Sequence, residues 1–363
     1  MIYLKAKNLI VFFFITLLFV LSHSVHISYA QITNPEGDKQ KSGSEDIWAN
    51  TLEGSHYNEF WTWQFYFDNG MKLHVVFSVA NFGRFKSAVS GVRVSLFGLD
   101  EKTYQIAREY PIDELLQEHD SGLFSINPRQ ENVWFRGELP HEMELYINTS
   151  KDGNRFKIDL KMENLVPGLK WDDGIYHIGE EPIGIITHIP FGKVSGTAGI
   201  NDDVREVSGT VYMDHTYQDD TTTNLMDSGY RFVKHTDSEN WDIIYFLLPD
   251  NNNSNQTLGH RLHSKDGEVS LNGIENIENY EIRDAFGEEV YDQISLKFSD
   301  GRTAILNREV DQERFSILSD LSWVARRTAQ AVLGGDVIDI RGKGNLKKDN
   351  ESFNGEFNFF IVD

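Results

Sequence analysis

Between Ser208 and Gln218 the chain reads SGTVYMDHTYQ, which sets an acid, an imidazole and a phenol into the short run Asp214 to Tyr217. Residues of these three types can orient a polar group or pass a proton near neutral pH. On a strand, side chains alternate between faces, so His215 and Tyr217 share one face. The plain alternative is a structural hydrogen-bond cluster at a strand end. A second run, Glu59 to Gly70 (EFWTWQFYFDNG), is aromatic. Trp61 and Trp63 lie two apart and point the same way, which suits either a core layer or the wall of an apolar pocket. Two further groupings are weaker. His260 and His263 are three apart, hence on opposite faces of a strand, and read as surface histidines rather than a metal pair. Asp250 to Asn255 (DNNNSN) offers oxygens for calcium without the spacing of a known loop, so an exposed polar turn is expected.

Stronger signatures are missing. The sequence has no phosphate-binding glycine loop, no H-E-x-x-H, no calcium-binding EF-hand pattern and no G-x-S-x-G elbow. With no cysteine there can be no disulfide, thiolate metal site or thiol nucleophile. No metal and no cofactor are expected.

The elements that would position these residues are strands. From about residue 51 apolar and polar residues alternate in short runs closed by turn dipeptides. Leu145 and Ile147 lead into Asp152-Gly153, and Phe156, Ile158, Leu160 and Met162 leave it, with Lys157, Asp159 and Lys161 between. Asn69-Gly70 and Asp300-Gly301 punctuate similar pairs and supply the positive φ of tight hairpins. Val337 to Ile340 and Phe357 to Val362 look like closing strands. Helix signals are few: Pro111 to Leu116, and Asp320 to Leu333 ended by Gly334-Gly335. The expected class is all-β, with antiparallel barrels or sandwiches. The glycine-rich stretch Gly192 to Gly209 separates two strand-rich halves, which puts a boundary near residue 200: a first domain over 51–200 and a second over 201–363.

The N-terminus reads as an address. Lys5 and Lys7 precede the apolar run Leu9 to Leu21, and Ser28-Tyr29-Ala30 presents small residues at a cleavage site. Residues 1–30 are therefore expected to be a signal peptide, the mature protein to be exported to the periplasm or beyond, and 31–50, rich in breakers, to be a flexible leader. The run is shorter than the ~20 residues that span a bilayer, so no stable membrane insertion is expected after cleavage. Of 363 residues 40% are hydrophobic, enough to build a core rather than a disordered chain. The net charge of −22 repels phosphate backbones and anionic headgroups, which argues against nucleic acid as a partner.

The aromatic block before Asp68-Asn69-Gly70, followed in mid-chain by Gly209 to Tyr217 with its M-D-H-x-Y ending, resembles the superfamily of carotenoid 1,2-hydratases and AttH-like proteins. The survival-factor-like branch looks most similar, and the lipocalin-like Diels–Alderases of fungi belong to the same superfamily. The resemblance covers most of residues 51–363 and implies two tandem lipocalin-like (calycin) antiparallel β-barrel domains with one or two short helices. In the carotenoid hydratases a His and a Trp of this motif, with a Tyr-x-Asp on a following strand, are linked to hydration of an isoprenoid double bond. His215 matches the His, Tyr217 replaces the Trp, and Tyr245 matches the Tyr. Leu247 stands where the acid is expected, with Asp242 nearby as a displaced candidate.

A leucine cannot donate a proton, so the expectation leans to a non-catalytic carrier for a lipid or isoprenoid. Trp61, Trp63, Asp214, His215, Tyr217 and Tyr245 would line its site. The alternative is a cofactor-independent hydratase, cyclase or isomerase on a terpenoid or polyketide, with Asp214 and His215 as acid and base.

Overall fold

The structure is a computed structural model and describes residues 32–83, 86–129, 132–249, 257–318, 327, 330, 334–349 and 351–363. The expected signal peptide, the expected Asp250–Asn255 turn and nearly all of the expected Asp320–Leu333 helix lie outside these residues. Alternation of apolar and polar residues produces strands almost throughout. The first fifteen are β1 (Ile32–Thr33), β2 (Lys39–Lys41), β3 (His56–Phe67), β4 (Lys72–Phe82), β5 (Val89–Phe97), β6 (Tyr104–Pro111), β7 (Leu116–Glu118), β8 (Leu123–Ile126), β9 (Asn132–Glu138), β10 (Glu142–Lys151), β11 (Asn154–Val166), β12 (Leu169–Trp171), β13 (Ile175–Ile178), β14 (Glu181–Ile200) and β15 (Asp203–Gln218). A single turn of helix, α1 (Thr222–Leu225), leads to β16 (Met226–His235), β17 (Trp241–Pro249), β18 (Leu258–Lys265), β19 (Glu268–Ala285), β20 (Glu288–Phe298), β21 (Thr303–Ser316), β22 (Val337–Lys348) and β23 (Glu351–Val362).

Two large antiparallel sheets result. The first has the order β6-β5-β4-β3-β15-β14-β11-β10-β9-β8-β7, with β13 and β1 added beside the start of β14. It curls so that strands distant in the order meet inside: Trp61 of β3 lies 4.6 Å from Phe124 of β8, and Trp63 lies 5.1 Å from Phe135 of β9. The second, β16 to β23, closes into a barrel when β23 pairs with β16. The all-β, two-barrel expectation therefore holds. The first sheet runs on to Gln218, and residue 200 falls at the β14–β15 turn rather than between sheets.

Turn chemistry sets the registers. Asp152 and Gly153 take φ of 53° and 82°, a two-residue hairpin that pairs Lys151 with Asn154. This register turns Phe156, Ile158, Leu160 and Met162 into the core and Lys157, Asp159 and Lys161 outward, as the alternation predicts. Pro111 to Leu116 forms only a 3-10 turn, Ile112–Glu114.

The segment expected to be a flexible leader is tied down where it is described. β1 pairs with β13, β2 pairs with β12, and Ser44–Ile47 forms a 3-10 turn. The outer face of β3–β5 is also not in water. Gln64, His74 and Ser95 are buried there, Arg93 reaches Asp339 of β22, and Arg341 bonds Glu313 at 2.6 Å. A hydrophobic layer of Phe191, Tyr212, Val233, Trp241, Ile243, Leu262 and Leu271 fills the space between the sheets farther along.

Candidate functional site

The site follows from the pairing of β3 with β15. In antiparallel register directly opposed side chains share a face. Trp61 opposes His215, Glu59 opposes Tyr217, and Trp63 opposes Met213, all facing into the first sheet. Asp214 and Thr216 face the other way, toward the barrel. The sequence placed Asp214 and His215 side by side as acid and base, but consecutive strand residues point to opposite faces, and the structure assigns the two to different surroundings.

His215 is fully buried, and its imidazole stacks on the Trp61 indole, ring centres 4.6 Å apart and planes 16° off parallel. Its Nδ1 lies 3.0 Å from the carbonyl oxygen of Asp46. A carbonyl can only accept, so Nδ1 carries a proton. Its Nε2 lies 2.7 Å from Oε1 of Glu59, itself fully buried. One proton sits between these two atoms, either on an imidazolium facing a carboxylate or on a carboxylic acid facing a neutral ring. Glu59 also accepts from Asn50 N–H at 2.9 Å, Thr51 N–H at 3.2 Å and the Thr51 hydroxyl at 2.8 Å.

Residues Asp46 to Thr51 thus cross over the pair as a strap. The Ile47 carbonyl accepts from the Trp61 indole N–H at 2.7 Å, and the strap is anchored at its side by Asp46 with Lys170 at 2.5 Å. Tyr217 stands at the rim, half-buried, its ring 5.2 Å from that of His215. Burial pushes its phenol well up, and the charges of Glu59, Asp173, Asp46 and Asp219 add to the shift. Behind His215, at 5.7 Å, stacks His188. It is buried with neither ring nitrogen partnered, and burial together with the neighbouring His215 and Lys170 holds it far below the usual range, hence neutral.

On the opposite face Asp214 is fully buried against Arg231 of β16, with Oδ1 2.9 Å from Nη2 and Oδ2 2.5 Å from Nε. Burial raises the Asp214 carboxyl and Arg231 opposes that rise. The Arg231 guanidinium also covers the Tyr245 ring at 4.5 Å, and the Tyr245 hydroxyl meets the Thr216 hydroxyl at 2.8 Å. Burial pushes Tyr245 up to about 12. This is a closed ionic clamp between the two sheets. Beside it His260, pushed down to about 4 by burial, bonds Tyr176 at 3.0 Å and Thr187 at 3.2 Å.

The expected residues therefore divide. Trp61, His215 and Tyr217 come together. Trp63 lies deeper in the core, packed between Phe77 and Phe135. Asp214 and Tyr245 belong to the clamp. Leu247 is buried on the same side as Tyr245 and supplies no acid. Asp242 points into the C-terminal barrel, where it is paired with Arg261, so it is not a displaced acid beside Tyr245. His260 and His263 are both buried rather than at the surface, and no cluster of metal-ligating side chains occurs among the described residues.

Glu59, Arg231 and the strap were not singled out from the sequence. A signal for Glu59 existed: it lies two residues before Trp61, an acid on the apolar face of a strand. The strap had none, since its contacts are made by main-chain groups.

No protein-family model and no curated protein matches the sequence. Solved structures do match in fold. An AttH-like protein from Nitrosomonas europaea superposes with a TM-score of 0.60 at 9% identity, covering 86% of this chain and 94% of that one. CghA in complex with Sch210972 gives 0.58 at 10%, covering 91% and 94%. Kievitone hydratase from Nectria haematococca gives 0.51 at 12%, covering 90% and 97%. The chain thus shares the two-barrel fold of AttH-like proteins that the Trp block and M-D-H-x-Y strand pointed to.

The carrier expectation is corrected by these matches. Kievitone hydratase is an enzyme on this fold. The tryptophans expected to wall a ligand cavity are instead packed against Phe124, Phe77 and Phe135.

Proposed function

We propose that the chain is a cofactor-independent acid/base enzyme, a hydratase, cyclase or isomerase acting on a terpenoid or polyketide. The observation that supports this most is the single proton held between His215 Nε2 and Glu59 Oε1 at 2.7 Å, with the Trp61 face beside it. A proton so held can be given to a double bond, and the pair can take one back from the attacking water or the adjacent carbon, so the cycle balances without a metal or coenzyme. The hydratase named among the fold neighbours adds support by analogy. In this scheme Asp214 holds Arg231 and is not the acid.

Turnover of a panel of conjugated terpenoid and polyketide alkenes, followed by mass spectrometry for gain of water or for isomers, tests the reading. Glu59→Gln and His215→Gln should each lower kcat by roughly 10²-fold or more, with the circular dichroism spectrum kept. Undiminished turnover in both variants would sink it. Export belongs to the same proposal, with Lys5, Lys7 and Leu9 to Leu21 as its signal. N-terminal sequencing of the secreted protein should read from Gln31, and an intact Met1 would contradict it. Membership of the survival-factor-like branch remains part of this proposal.

A further inference from the structure

The groups that would meet a substrate are already occupied, and by the chain itself. The Asp46 carbonyl takes the His215 Nδ1–H at 3.0 Å, and the Ile47 carbonyl takes the Trp61 indole N–H at 2.7 Å. The Thr51 hydroxyl donates to Glu59 at 2.8 Å. From one side, then, the strap presents two carbonyl oxygens to two buried N–H donors and one hydroxyl to a buried carboxylate. On its other side Asn50 is in water, and Trp48 is half-buried against His119 at 4.2 Å. Ile47 anchors it in the core, with Trp48 and Ala49 packed alongside, and three polar tethers hold its flanks. These are the Asp46–Lys170 pair, the Ser44 hydroxyl on Leu139 N–H at 2.8 Å, and the Gln117 side chain on Ala49 N–H at 3.0 Å.

We infer that the strap Asp46–Thr51 is a displaceable stand-in for the substrate, and that the site takes ligands bearing both a carbonyl and a hydroxyl rather than hydrocarbons. This rests on the acid/base reading of His215 and Glu59 and narrows its substrate class. A ligand that displaces the strap must satisfy the donors and the acceptor it leaves, because buried polar groups without partners oppose binding. An enone or β-diketone carrying a hydroxyl does so. A plain isoprenoid chain leaves His215 Nδ1–H and the Trp61 N–H without partners and Glu59 with His215 alone. The matching pattern is that of an oxygenated polyketide or phenolic enone.

The test needs no turnover, so it fails separately from the catalytic reading. Lys170→Met and Ser44→Ala each remove a tether without touching the proton pair. In either variant, amide hydrogen exchange of a peptide spanning residues 44–52 should rise at least tenfold. Hydroxyl-radical oxidation of Trp61, read by peptide mass spectrometry, should rise with it. Adding 4-hydroxychalcone, an enone whose phenolic hydroxyl lies clear of its carbonyl, should then protect Trp61 again, whereas trans-stilbene of similar shape should not. A strap still protected in the Lys170→Met/Ser44→Ala double variant would overturn the inference. So would free exchange without faster Trp61 oxidation, equal protection by stilbene, or no protection by the chalcone.

Discussion

Replacing Arg231 by Met removes the cation from a fully buried carboxylate, and its cost can be worked from the geometry. Asp214 is 0% exposed and touches Arg231 through both oxygens. Breaking a buried pair from one side typically costs about 3–5 kcal/mol, because the remaining charge is uncompensated. At roughly 2–4 °C per kcal/mol for larger domains, the midpoint should fall on the order of 6–20 °C. The sign of the pH dependence follows from the Asp214 carboxyl. Burial already raises it above its unfolded value, and loss of Arg231 raises it further. A carboxyl with a raised folded pKa contributes full stability below its unfolded pKa of about 3.9 and loses it as pH rises through the folded value. The gap between Arg231→Met and wild type should therefore narrow as pH is lowered from neutrality toward that range. Asp214→Asn/Arg231→Met should be more stable than Arg231→Met at pH 7 and lose this pH dependence. Urea unfolding at several pH values reads all three. A single variant within 1 kcal/mol of wild type, or a double variant no better than the single, would refute the clamp.

His235 and His260, pushed down to about 4 chiefly by burial, are neutral in the fold. The unfolded chain binds their protons first, so stability should fall between about pH 6.5 and 4, by roughly 3 kcal/mol for each histidine at 1.36 kcal/mol per pH unit; urea unfolding of wild type against His260→Gln at pH 7 and 5 measures it. Gly168→Ala should cost several kcal/mol or prevent folding, because the new methyl would lie 1.6 Å from the Thr187 carbonyl oxygen, and yield with thermal melting reports this. Phe286→Asn should raise the melting temperature, with a gain of about 1 kcal/mol: Phe286 takes φ of 56° at a hairpin tip, where every other described non-glycine residue of positive φ is Asn or Asp.

Period-two alternation was a reliable guide wherever one face is core and the other water, as along Phe156 to Met162. It gave no phase after Asp300-Gly301, where Ala304 and Leu306 are the buried residues. It was silent on what covers an outer face: nothing local in Arg93 or Ser95 tells that β22 lies over them. The site was half legible. Trp61 and His215 could be named from type and spacing, and period two alone separates Asp214 from His215. That Glu59 rather than Asp214 partners His215 depends on the β3–β15 register, a pairing of residues 156 apart in sequence. The strap was illegible because main-chain oxygens and amides have no letter of their own.

The bulges of β14 near Thr187, Ile189 and Gly192 lock the frame of a chain in which neighbours face different compartments. If β15 slid by one position, the imidazole would be delivered to the guanidinium of Arg231 and the aspartate to the indole of Trp61. Proton pair and ionic clamp would be lost together. Insertions or deletions between Asp203 and Gln218 should therefore be all-or-nothing events. Substitutions on either face can vary separately, so chemistry and inter-sheet docking can diverge by point changes while sharing one indivisible ruler.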